Sequence, residues 1–140
     1  MEIFILLFYL VILSIYDCRE KQVPRVLLFI GVVVTVISLL ATVIDGQQLL
    51  YRILGLLPGQ FLLLVAFATK KAGYADGIVL SVIGMILGYQ KAVFLFCISL
   101  LLMSLVAVLR LFLHKVNGRT RLPYLPFLTV TYVIQQICHL

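Results

Sequence analysis

AVFLFCISLLLMSLVAVLRLFL, residues 92–113, carries a single charge, Arg110, and that charge stands close to its end. About 20 apolar residues, rising 1.5 Å each as a helix, cross a bilayer hydrocarbon core of about 30 Å. The stretch therefore reads as a membrane-spanning helix. The chain around it has the same character: over 140 residues it is 64% hydrophobic and only 11% charged, with a mean hydropathy of +1.24. Soluble domains use roughly 25% charged residues. No water-soluble fold of this length could hide so much apolar surface.

Working outward from residues 92–113, polar breaks divide the rest into five further apolar runs, at about 2–17, 26–44, 48–68, 77–89 and 123–138. The breaks are DCREKQVPR, DGQQ, TKKAGYAD, GYQK and HKVNGRTRLP, and none is long enough for a separate domain. The expected architecture is all-α, a polytopic membrane helical bundle of about six transmembrane helices forming one membrane-embedded domain over 1–140. Met1 and Glu2 supply no basic region ahead of the first run and no small-residue cleavage pattern follows it, so that run reads as a retained helix.

Cytoplasmic loops carry the excess of lysine and arginine. Alternate loops collect Arg19, Lys21 and Arg25, then Lys70 and Lys71, then Arg110, Lys115, Arg119 and Arg121, leaving Arg52 and Lys91 of the 11 basic residues opposite. Six spans with both termini outside and three basic loops in the cytoplasm follow. The net charge of +6 then reflects topology and contact with anionic membrane lipids, with no call for nucleic acid as a partner.

Ionisable groups near membrane depth are costly and mark functional sites by default. Asp17 closes the short first run, which reaches roughly 24 Å, and Asp76 opens the short fourth, roughly 20 Å. Both are placed at the cytoplasmic ends, in reach of water. Two carboxylates that share a proton can divide the work of peptide hydrolysis, one activating water and the other polarising the carbonyl. Read singly, each is also an ordinary boundary residue, Asp17 beside Arg19 and Lys21 and Asp76 as a helix cap. By helix ends, Asp76 at an N-terminus is the better-stabilised anion and hence the expected base. His114 and His139 stand far from any nucleophile and lack metal-ligand spacing, so neither metal nor cofactor is expected. Cys18, Cys97 and Cys138 show no CxxC spacing and read as packing residues. Gly55, Pro58, Gly59 and Gln60 in the third run read as a site of tight helix packing, with a kink as the alternative, and Arg52 as a snorkelling side chain.

Three segments carry a resemblance. DCREKQVP, residues 17–24, resembles the D-x5-[IV]-P segment of type IV prepilin peptidases; Gly73, Tyr74, Ala75 and Asp76 resemble that family's G-x-G-D or G-x-hydrophobic-D motif; and LPYLPFL, residues 122–128, is similar to its late I-P-[FY]-x-P-F-[LA] segment. Ala75 replaces a commoner glycine, Ile78 a frequent lysine and Arg25 a frequent asparagine. The resemblance implies an aspartyl endopeptidase of the cell membrane that removes leaders from prepilin-like substrate proteins on the cytoplasmic side, with Asp17 and Asp76 catalytic. The cysteine-bearing insert tied to N-methylation in larger members is absent, which implies cleavage without methyl transfer. Gly73 is expected to allow positive φ and close approach of substrate, Pro24 to redirect the chain after the first helix, and Pro123 and Pro126 to shape the start of the last. Two other readings stay open: an inactive homologue, scaffold or transporter that binds a partner helix, and a presenilin-type protease built on Tyr16–Asp17, for which a PAL motif is lacking and six spans are too few.

Overall fold

The computed structural model describes residues 2–20, 23–41, 46–69, 73–113 and 122–138, with no strand among them. In chain order the helices are α1 (Glu2–Glu20), α2 (Arg25–Ala41), α3 (Gly46–Leu54), α4 (Leu57–Thr69), α5 (Tyr74–Leu87), α6 (Tyr89–Phe112) and α7 (Leu125–Ile137). The all-α fold of apolar helices is the one expected, with α3 and α4 together filling the third run. Two stretches, Gly46–Thr69 and Tyr89–Phe112, are long and apolar enough to cross a membrane; α2, α5 and α7 are apolar but shorter. The surface agrees with a lipid surround. Phe4, Phe8, Phe29, Ile37, Leu101 and Phe112 all point outward, an arrangement that water would penalise at about 25 cal/mol per Å². Cys18, Cys97 and Cys138, expected to pack, are free and exposed; a thiol behaves as a small hydrophobe and is at ease on such a surface.

The chain divides into two compact units, Met1–Gln22 with Leu95–Leu140, and Val23–Phe94. In the second, α5 is the central element, packed by α4, α2 and α3. Seven of its residues, from Gly77 to Gly84, are buried, so it is apolar on every side, as a helix enclosed by others must be.

Missing side chains make this packing possible. A methyl group on Gly55 would overlap the carbonyl of Gly84, one on Gly84 would overlap the carbonyl of Gly55, and one on Gly59 would overlap Ser81. Backbones in contact at this range gain dispersion contacts that lipid cannot match, which is how membrane helices associate without a hydrophobic driving force. Both readings of the glycine cluster are realised, since the helix also breaks there. Gly55 and Leu56 form a turn whose N–H groups donate to Arg52 and Ile53 at 3.0 Å each. Pro58, in the first turn of α4, has no N–H to continue the α3 ladder, so a new helix starts around it.

At the far end of α5, Gly88 has φ +86°, a conformation costly for any residue with a Cβ. The ring of Tyr51 covers it, and the Tyr51 hydroxyl accepts from the Gln90 N–H at 3.3 Å. Arg52, read as snorkelling, donates to Ser38 Oγ on α2 at 3.1 Å and is half-buried.

In the first unit α1 packs on α7. Leu6, Leu10 and Leu13 meet a core that includes Leu125, Leu128 and the fully buried Tyr132, whose hydroxyl donates to the Ile3 carbonyl at 3.3 Å.

Gly84→Ala is expected to destabilise the protein by roughly 1–3 kcal/mol through overpacking, whereas Gly46→Ala, which meets nothing within 4 Å, is expected to be neutral or to stabilise by up to about 1 kcal/mol through helix propensity. Thermal unfolding in detergent micelles compares them.

Candidate active site

Asp17 lies inside α1, which runs on through Cys18 and Arg19 to Glu20; the helix does not stop at the aspartate as its apolar run does. Arg19 in the last turn suits the negative end of the helix dipole. Asp17 is only 8% exposed, and its Oδ2 accepts the backbone N–H of Leu125 at 3.3 Å.

That bond answers a need of α7. The first N–H groups of any helix lack an intrahelical partner. The residue ahead of α7, Tyr124, makes no side-chain cap, although its carbonyl opens the helix by accepting from Phe127 at 3.1 Å and Leu128 at 3.2 Å. Pro126, in the first turn, has no N–H to satisfy. Leu125 is left with the donor that needs a partner, and Asp17 supplies the acceptor from across the unit. Pro123 is half-buried just before the helix, and Pro126 stands in its first turn.

Asp76 sits in the first turn of α5, three residues after the N-cap. It is neither the cap nor the residue before the helix, because α5 begins at Tyr74. The N-cap is Gly73, at φ −74° and ψ 124°. Positive φ is therefore not what Gly73 provides. Its role is steric: a Cβ there would lie 3.1 Å from Asp76 Oδ2 and 3.5 Å from Asp76 Cγ, so the carboxylate folds back over the hydrogen of the glycine. A negative group in that first turn meets the positive end of the α5 dipole. Ala75, half-buried in the same turn, occupies helical backbone, where alanine is favoured over glycine by up to about 1 kcal/mol. Behind this turn, Gly77 admits Leu63 of α4.

Pro24 precedes α2 and starts it, its carbonyl accepting from Leu27 at 3.1 Å and Leu28 at 3.4 Å. Cys18 and Glu20 are exposed. Among the described residues no three His, Cys, Asp or Glu side chains gather to hold a metal ion. His114 and His139 lie outside the described residues, as do Lys21, Lys70, Lys71, Lys115, Arg119 and Arg121 of the basic loops.

The type IV leader peptidase family matches residues 4–108, three quarters of the chain. The chain belongs to that family. As a leader peptidase-family protein it is a membrane protein of a protease family; the matched span holds both aspartates, Pro24, Gly73 and Ala75, and stops short of LPYLPFL. No curated protein and no solved structure matches it. The participation of Leu125 was not foreseen. A reading by side-chain type has no view of a backbone N–H, and the signal that pointed there was the spacing of Pro123 and Pro126.

Asp17→Asn keeps an acceptor for Leu125, and Asp17→Leu does not. The leucine variant is expected to be the less stable of the two by about 1–3 kcal/mol, the cost of a buried unpaired donor, measured by unfolding in micelles. Gly73→Ala is expected to leave the helical circular dichroism unchanged and to displace the Asp76 carboxylate by a few tenths of an ångström, detectable as a shifted Asp76 carboxyl signal in isotope-labelled protein.

Proposed function

We propose that this leader peptidase-family protein is an aspartic endopeptidase of the cell membrane, with Asp17 and Asp76 as its catalytic carboxylates and the leaders of prepilin-like proteins as its substrates. The observation that carries this reading is Asp17: a carboxylate kept from solvent and held by a backbone donor, in a chain whose family hydrolyses leader peptides. An acid at such a place in an apolar helix is costly unless it has work to do. Asp76, seated over Gly73 within the family-like GYAD segment, is the second acid.

The chemistry asked of the pair is general acid–base catalysis. One carboxylate takes a proton from water as the oxygen attacks the scissile carbonyl carbon, and the carboxylic acid of the other gives its proton to the carbonyl oxygen. The tetrahedral diol then collapses: the C–N bond breaks, the amine leaves with the proton taken from water, and a diol proton returns to the second carboxylate. Asp17 stands at the N-terminus of α7 and Asp76 at that of α5, so helix ends do not tell base from acid. The placement of lysine and arginine in alternate loops supports cleavage at the cytoplasmic face of a multi-pass protein.

Co-expression with a prepilin-like substrate tests the reading. Asp17→Asn and Asp76→Asn are each expected to abolish leader removal, seen as a missing mobility shift on a denaturing gel, with membrane levels of the protein unchanged. Full processing by either variant would contradict it and favour a scaffold that binds a partner helix.

A further inference from the structure

The donor that meets Asp17 is a backbone group, so its position is set by whatever fixes the backbone of residues 124 and 125. Tyr124 is 4% exposed, and its hydroxyl lies 2.6 Å from the hydroxyl of Ser99 on α6. Ser99 Oγ also donates to the Phe96 carbonyl at 2.9 Å, one turn back along α6. Since the single serine proton is directed to Phe96, Tyr124 is the donor to Ser99. Ser99 is fully buried, and a bond between hydroxyls in an apolar, water-poor interior is stronger than its counterpart in water and costly to leave unmade.

The result is an ordered series. The Phe96 carbonyl holds Ser99, Ser99 holds Tyr124, and Tyr124 is joined by one peptide bond to the N–H that Asp17 accepts. Below it, Thr129 Oγ1 shares its one proton between the carbonyls of Leu125 and Pro126, at 3.1 and 2.8 Å, across the first turn of α7. Pro126 narrows the backbone freedom of Leu125 further. The packing of Leu125 and Leu128 in the core fixes the body of α7, and the anchorage of Tyr124 acts on the residue that directly precedes the Leu125 N–H.

We propose that Ser99 and Tyr124 are positioning residues for Asp17: their hydrogen bond pins the start of α7 to α6 and so holds the Leu125 N–H against the Asp17 carboxylate. Neither residue touches substrate in this scheme, and each acts through the backbone. The catalytic consequence rests on Asp17 being a catalytic carboxylate, but the positioning itself does not.

The test uses the full chain in detergent micelles, isotope-labelled at the carboxyl carbons of its aspartates, Asp17, Asp45 and Asp76, with each signal assigned by its loss in the matching Asp→Asn variant. Tyr124→Phe and Ser99→Ala are each expected to shift the Asp17 signal and leave those of Asp45 and Asp76 in place. The double variant is expected to shift it no further than Tyr124→Phe alone, as for two members of one interaction, and Ser99→Thr to keep the wild-type position. In cleavage assays kcat is expected to fall roughly tenfold with KM unchanged, the mark of a lost transition-state arrangement. An Asp17 signal that stays put in both single variants overturns the proposal, as does an equal movement of all three signals, which would mean general loosening. Should Tyr124→Phe not fold, Ser99→Ala, which leaves the tyrosine ring in the core, carries the test. Failure of the aspartic protease reading shows differently: Asp17→Asn would still cleave while the Asp17 signal still answered to Tyr124→Phe.

Discussion

Within the unit of residues 23–94, everything depends on how closely two backbones can approach. Lipid is as apolar as leucine, so a membrane helix gains little by hiding apolar side chains from it and must gain by packing density. Gly55 and Gly84 meet carbonyl to Cα, and Gly59 meets Ser81. These contacts hold α5 among α2, α3 and α4, and α5 carries Asp76 in its first turn. The break at Gly55 and Leu56 belongs to the same arrangement. Without it α3 and α4 would run as one straight helix, and the aim of one part would dictate the aim of the other.

Polar groups in the other unit answer a second pressure, that a hydrogen-bonding group left unmet where water does not reach is costly. The start of α7 has a tyrosine that does not cap it, a proline that needs no cap and a leucine N–H that needs one. A carboxylate from α1 meets that need, so the residue proposed for catalysis also has a structural duty. Elsewhere the serines and threonines satisfy themselves locally: Thr35, Thr69, Ser81, Ser104 and Thr131 all donate to carbonyls one turn back on their own helices. Ser99 also bonds back in this way, and it is set apart by accepting a bond from another helix segment.

Membership of the leader peptidase family joins these arrangements to a chemistry. Under the function proposed above, a mostly apolar chain has to keep two carboxylates in place. Asp17 accepts a backbone donor, and Asp76 has room for its carboxylate over the backbone of Gly73. Both devices use the backbone, which is stiffer than any side chain.

The sequence alone determined that the chain is all-α and membrane-embedded, because long uncharged runs have one low-energy form in lipid, and where those runs lie, because charges mark their ends. It also picked out Asp17, Asp76, Gly73 and the prolines, since acids and helix breakers stand out in so apolar a chain. Helix limits shifted by a few residues, as at Asp17 and Asp76, where the helix outlasts the apolar run because helical hydrogen bonding does not require apolar side chains. Gly73 does not take the positive φ expected of it, its φ being −74° at the N-cap of α5, and a Cβ there would crowd the Asp76 carboxylate. Only the tertiary structure decided that Asp17 serves the Leu125 N–H and that Ser99 holds Tyr124. Those partners are 108 and 25 residues apart, and a backbone donor carries no letter in the sequence.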